Sequence, residues 1–185
     1  MDAPAITRSR RPFLAPIWVT ALLVLAALGI LIGLYESASI TTVVVVGGEQ
    51  SSPGSIADPP LAPEGEARAR QLAQMLGDAS ASVPGHIEAI YISATRAITA
   101  LAAPLAARLG LQPITLGDDS MEAAAARVLG EHRGGTALLI VRTKSVPLLI
   151  HALSGVTVSQ PQTEPPLFVV TVPSYGHATL LRMSY

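Results

Sequence analysis

From Phe13 to Tyr35 the chain carries no charged side chain, and this run limits the fold more than any other feature. At about 1.5 Å of rise per residue, residues 13–35 make a helix roughly 34 Å long, enough to cross a hydrocarbon core of about 30 Å. Trp18 and Tyr35 stand near its two ends, where amphipathic rings favour a membrane interface. Pro16 is close enough to the start to fit a first helical turn. Two other readings compete. A cleaved signal peptide has a shorter apolar stretch and a small-x-small site, and Ser37-Ala38-Ser39 is a poor version of one. A buried core helix is rarely so long and so uniformly apolar. Length favours an uncleaved transmembrane anchor.

Arg8, Arg10 and Arg11 precede the run and Glu36 follows it. The excess of arginine on the N-terminal side predicts residues 1–12 as a basic cytoplasmic tail. The remainder then lies across the inner (cytoplasmic) membrane, periplasmic in a bacterium or otherwise extracellular. Beyond the anchor the chain keeps nine Arg or Lys against twelve Asp or Glu, so it is mildly acidic. With no basic stripe and two Phe in all, nucleic acid is not an expected partner. The absence of cysteine excludes disulfides, thiolate catalysis and cysteine metal sites.

Residues 40–185 alternate strand and helix patterns. Ile40–Val46 is β-branched and reads as a buried strand that leaves at Gly47-Gly48 into a Ser-, Pro- and Gly-rich loop over 50–60. Pro63 opens a helix to about Leu76, with Leu72, Met75 and Leu76 on its apolar side and Gly77 ending it. Ile87–Ile92 reads as a strand. Thr95–Leu109 reads as an alanine-rich helix that Pro104 bends or splits and Gly110 closes. Short strand character at 113–116, a helix over 121–132 and an apolar strand over 136–141 follow. Ser145 is expected to cap a helix that begins around Pro147 and runs to Leu153. Two strands, 167–172 and 179–183, finish the chain. The pattern predicts an α/β domain: a three-layer, mostly parallel sheet with helices on both faces. In such sheets ligands lie beyond the carboxyl ends of the strands, which directs attention to the loops after Val46, Ile92 and Val141.

Those loops carry a family resemblance. "DPPLAPEGEARARQLAQML" (58–76), "AIYISATRAITALAAPLAARLGL" (89–111), "HRGGTALLIVRTKSVPLLIHALSG" (132–155) and the closing "LFVVTVPSYGHATLLRMSY" resemble the framework of the short-type histidine phosphatase (phosphoglycerate mutase-like) superfamily. The resemblance covers 41–185 with few gaps. It implies a phosphate pocket of two histidines and two arginines, one histidine attacking phosphorus and the other groups neutralising the transition state. All four positions depart from the pattern. Gly47 stands at the first arginine position and Gly48 at the nucleophile position. Ala97 stands at the second arginine position, with Arg96 one residue early. Arg142 stands at the second histidine position. The resemblance therefore implies a pseudophosphatase, because glycine offers no nucleophile.

What remains is open to binding. Arg96, Arg142 and Lys144 are candidates for an anion site, against the plainer reading of solvated surface charges. Gly47-Gly48 lacks the following helix that a phosphate-cradling loop needs. His86, His132, His151 and His177 show no metal-ligand spacing, so neither metal nor other cofactor is expected. No serine-hydrolase elbow occurs. Asp118, Asp119 and Glu122 read as helix-start charges. The expected function is a membrane-anchored accessory or interaction subunit of a membrane complex, with a membrane-protein partner. The alternatives are a sensor of a phosphate-like anion and a phosphatase with a rearranged site.

Overall fold

The computed structural model describes residues 17–37, 39–48, 58–77, 85–117, 120–159 and 167–183. The basic tail, the start of the apolar run, most of the 50–60 loop, Asp118 and Asp119 lie outside the described residues. The chain divides into two units, Met1–Ser37 and Ala38–Tyr185.

In the first unit, α1 (Ile17–Ser37) is a helix of 21 residues. Its leucines, isoleucines and Trp18 are exposed all round, from Leu22 to Ile32. No helix among the described residues is long and apolar enough to cross a membrane.

The second unit is the expected three-layer sandwich. Its elements are β1 (Ile40–Gly47), α2 (Pro63–Leu76), β2 (Ile87–Ser93), α3 (Arg96–Leu109), β3 (Ile114–Leu116), α4 (Met121–Glu131), β4 (Thr136–Val141), a 3-10 turn over Thr143–Ser145, α5 (Val146–Ser154), β5 (Leu167–Pro173) and β6 (Thr179–Met183). The sheet order is β3-β2-β4-β1-β5-β6. β1 pairs parallel with β4 and antiparallel with β5, so the sheet is parallel from β3 to β1 and antiparallel beyond. Alternation along each strand builds two cores. Val44 and Val46 of β1, with Leu138 and Ile140 of β4, pack against α2 and α3. Val43 and Val45, with Ala137, Leu139 and Val141, pack against α4 and α5. β1 and β4 are buried on both faces, which is why they read as unbroken apolar runs instead of alternating ones.

One local expectation is narrowed and another is corrected. Pro104 lies inside α3 without splitting it. The ring removes one helical hydrogen bond, but Ala100, whose carbonyl loses it, is exposed to water. Leu101, Ala102, Leu105 and Ala106 are buried on both sides of the lesion and hold the helix to the sheet. Ser145 makes no side-chain cap. It has already adopted helical backbone angles as the last residue of the 3-10 turn, whereas a capping serine needs an extended backbone.

Candidate functional site

The carboxyl ends of β1, β2 and β4 lie along one edge of the sheet, because the three strands are neighbours and parallel. Each ends where the resemblance placed a pocket residue.

β1 stops at Gly47, paired with Val141. The next amide, of Gly48, donates to the carbonyl of Val141 at 2.8 Å, so the backbone stays against β4 for one residue more. Gly48 is buried. A Cβ there would stand 2.8 Å from Leu101 Cδ2, 3.3 Å from Ile140 Cγ2 and 3.4 Å from Ile98 Cγ1. Those three side chains belong to the α2/α3 core and are themselves at most 4% exposed. The space beside Gly48 is thus occupied by hydrocarbon from α3 and β4.

β2 ends at Ser93, and α3 begins after Thr95, whose hydroxyl accepts from the Ile98 amide at 3.4 Å. Ala97 is buried in the first turn, whereas Arg96 is exposed. One residue turns a helical side chain by about 100°, and this rotation separates the two. The Arg96 backbone amide donates to Asp58 Oδ1 at 3.0 Å. A carboxylate of the chain itself therefore sits at the positive end of α3, where a bound anion would be favoured.

After β4, Arg142 is exposed and precedes the 3-10 turn, and Ser145 N–H donates back to its carbonyl at 2.8 Å. Lys144, within the turn, is also exposed. Arg96, Arg142 and Lys144 thus share one edge. Among the described residues none of their side chains forms an ion pair.

The opposite end of the strands holds a polar cluster that the sequence reading did not assemble. Tyr91 projects from the middle of β2 onto α4 and is fully buried. Its hydroxyl donates to Glu131 Oε2 at 2.6 Å and lies 2.9 Å from His132 Nε2. The single phenolic proton goes to the carboxylate, so geometry assigns His132 the tautomer in which Nε2–H donates to the tyrosine oxygen. His132 Nδ1 faces Glu88 Oε2 at 3.8 Å. Arg127 Nε donates to Glu131 Oε1 at 2.9 Å, and its guanidinium carbon lies 5.9 Å from the centre of the Tyr91 ring. Burial, then the bond to and charge of Glu131, push the Tyr91 hydroxyl up to about 12. The same bond, with that from Arg127, holds the Glu131 carboxyl below its usual range. The cluster fastens the turn that enters β4, where Gly134 N–H donates to Thr41 Oγ1 at 3.1 Å and Thr42 N–H to the Gly135 carbonyl at 2.9 Å. A tyrosine inside an apolar strand was the available signal, since a buried phenol needs a polar partner.

Glu122 stands in the first turn of α4 as expected, with Ser120 accepting from Ala123 N–H at 3.2 Å. Backbone and Ser120 hydrogen bonds lower the Glu122 carboxyl. His86, His151 and His177 are exposed. Among the described residues there is no group of three or more acidic or histidine side chains that could hold a metal ion.

No family model matches the chain, and no curated protein matches it in sequence. Solved structures do. The protein histidine phosphatase SixA, complexed with tungstate, superposes with a TM-score of 0.64 at 18% identity, covering 77% of this chain and 96% of that one. A phosphoglycerate mutase from Bacillus anthracis gives 0.56 at 14% identity, over 80% and 95%. A mycobacterial glucosyl-3-phosphoglycerate phosphatase gives 0.55 at 15% identity, over 71% and 90%. Each of these chains is matched over nine-tenths of its length or more, although fewer than one residue in five is identical. The domain that follows α1 has the fold of the histidine phosphatase superfamily.

Proposed function

We propose that this protein is a membrane-anchored, catalytically inactive member of that fold, which works as an accessory or interaction subunit of a membrane complex. The observation that carries the reading is the packing at Gly48. A phosphohistidine mechanism needs an imidazole at the end of β1 with room for phosphorus beside it. Leu101, Ile98 and Ile140 leave too little space for one additional methyl group without displacement. Asp58 at the start of α3 adds negative charge near the place where a substrate's oxyanion would have to lie. The anchor assigned to residues 13–35 is supported by α1, a helix apolar on every side whose described leucines and isoleucines are exposed to solvent. A helix of this kind is stable only when lipid or protein covers it.

Full-length protein in mild detergent, mixed with p-nitrophenyl phosphate and quenched with acid, is expected to carry no phosphate and to release no burst of product. Mild-detergent purification from the native membrane is expected to bring a stoichiometric membrane protein with it. A phosphorylated protein would overturn the inactive reading, and recovery of the chain alone would overturn the accessory-subunit reading.

The exposure of Arg142 and Lys144 at the end of β4 favours a second reading, a sensor of a phosphate-like anion in which Arg96 also takes part. Binding of inorganic phosphate that is lost in Arg142→Ala would support it. Steady hydrolysis lost in the same variant would instead indicate a phosphatase with rearranged chemistry.

A further inference from the structure

Two residues, 38 and 39, join α1 to β1, so the Cα atoms of Ser37 and Ile40 are at most about 11 Å apart. The surface around the start of β1 is thereby held by the chain within reach of the end of that helix. It includes the turn between β5 and β6. Ser174 N–H donates to the Ser39 carbonyl at 3.2 Å, and the Ser174 hydroxyl donates to the same oxygen at 2.9 Å. The two hydroxyl oxygens lie 3.1 Å apart. With the Ser174 proton directed at the carbonyl, the Ser39 hydroxyl donates between them. Three bonds thus fix the turn to the residue that precedes β1.

The side chains presented there are apolar. Tyr175, next to Ser174, is 77% exposed, the highest value of any large hydrophobic side chain among the described residues. Ile40 is 54% exposed, although the seven residues that follow it in β1 are all buried. It pairs across the strands with Pro173, which is partly exposed. A single exposed apolar residue needs no explanation, but these three adjoin as a ledge at one end of the sheet. A phenol joins an apolar ring to a hydroxyl that can stay in water, which suits it to the boundary between acyl chains and headgroups. Tyr35, near the end of the apolar run, has the same chemistry. Residues 167–183 include no acidic side chain to oppose contact with phosphate headgroups.

We infer that Ile40, Pro173 and Tyr175 form a lipid-contact surface, by which the domain rests on the interfacial layer of the bilayer. The inference depends on the reading of residues 13–35 as an anchor and adds a second point of attachment, on the folded domain itself.

The test uses full-length protein in phosphatidylcholine vesicles, with and without bromine on the upper acyl chains, which quenches tryptophan in contact with them. Trp18 is the chain's one tryptophan, so the native protein reports on α1 alone. In a Trp18→Phe background, Tyr175→Trp and Ile40→Trp are two reporters on the ledge. Leu148→Trp is the control, because Leu148 is 57% exposed in the first turn of α5, beyond the other end of the strands. Brominated lipid is expected to remove most of the emission of Trp18 and of both ledge reporters, and to leave the Leu148→Trp protein nearly unchanged. Quenched Trp18 with either ledge reporter unquenched overturns the inference, keeps the anchor and leaves the ledge to a protein partner. Quenching of Leu148→Trp equal to theirs also overturns it, since the domain would then meet lipid on every side. Unquenched Trp18 removes the anchor and the inference together.

Discussion

Gly48→Ala is the smallest change that tests whether the end of β1 is closed by packing. The new Cβ would meet Leu101 Cδ2 at 2.8 Å, with Ile140 and Ile98 methyl or methylene carbons at 3.3 and 3.4 Å. Contacts of this length force buried neighbours to move, and inserting a methyl into a well-packed core typically costs about 1–3 kcal/mol. Alanine also narrows the unfolded ensemble, which opposes the loss by about 0.4–1 kcal/mol. The net expectation is a destabilisation of up to about 2.5 kcal/mol. For a domain of this size that is a fall in Tm of up to about 10 °C. Leu101→Ala alone should cost about 2–5 kcal/mol, because it opens a cavity under a residue only 4% exposed. The two changes in one chain should cost less than their sum by about 0.5 kcal/mol or more, since the alanine at 48 enters the space that Leu101 vacates. Urea unfolding of the four proteins in detergent measures the cycle. If the two effects add, the space beside Gly48 is open and the packing argument fails.

The polar cluster gives two predictions about pH. The Tyr91 hydroxyl is raised to about 12 in the folded protein, so its contribution is fully present below the unfolded value near 10 and disappears as pH rises through about 12. Stability should therefore fall across that window in the native protein and much less in Tyr91→Phe, which should itself cost about 0.5–1.5 kcal/mol at neutral pH through its lost hydrogen bonds. Glu131 is shifted the other way, so its contribution is present above the ordinary carboxyl range and lost as pH falls through its lowered folded value. Unfolding curves of Glu131→Gln should show a smaller acid sensitivity than the native protein, and identical curves would remove the carboxylate from the account. At the start of α4, Ser120→Ala removes the acceptor for Ala123 N–H and should cost about 1 kcal/mol, read as a matching drop in urea midpoint.

The sequence carried the architecture because β1 and β4 are buried on both faces and so appear as bare apolar runs, with Gly77, Gly110 and Gly155 marking the ends of three helices. Arg142 was legible as an edge residue for the same reason, since it follows an unmistakable strand. Other features were not legible. Continuity of α3 through Pro104 depends on buried contacts on both sides of it, whereas the local pattern contains only the missing amide. The partnership of Tyr91 with Glu131 and His132 spans about 40 residues and requires the placement of α4 on β2. The closure around Gly48 comes from α3 and β4, so the glycine pair was legible as the exit from a strand and as vacated pocket positions but not as a packed site.

The packing at the end of β1 also bears on how this sequence could change over time. A histidine at position 48 would enter a space held by Leu101, Ile98 and Ile140, so the substitution alone would disrupt the α2/α3 core before it offered any chemistry. Smaller residues at those sites would have to come first, each leaving a cavity with no compensating benefit until the others arrived. Basic side chains at 47 and 97 would still be missing. A direct change of Gly48 to histidine therefore begins with a loss of stability, whatever chemistry it later allows.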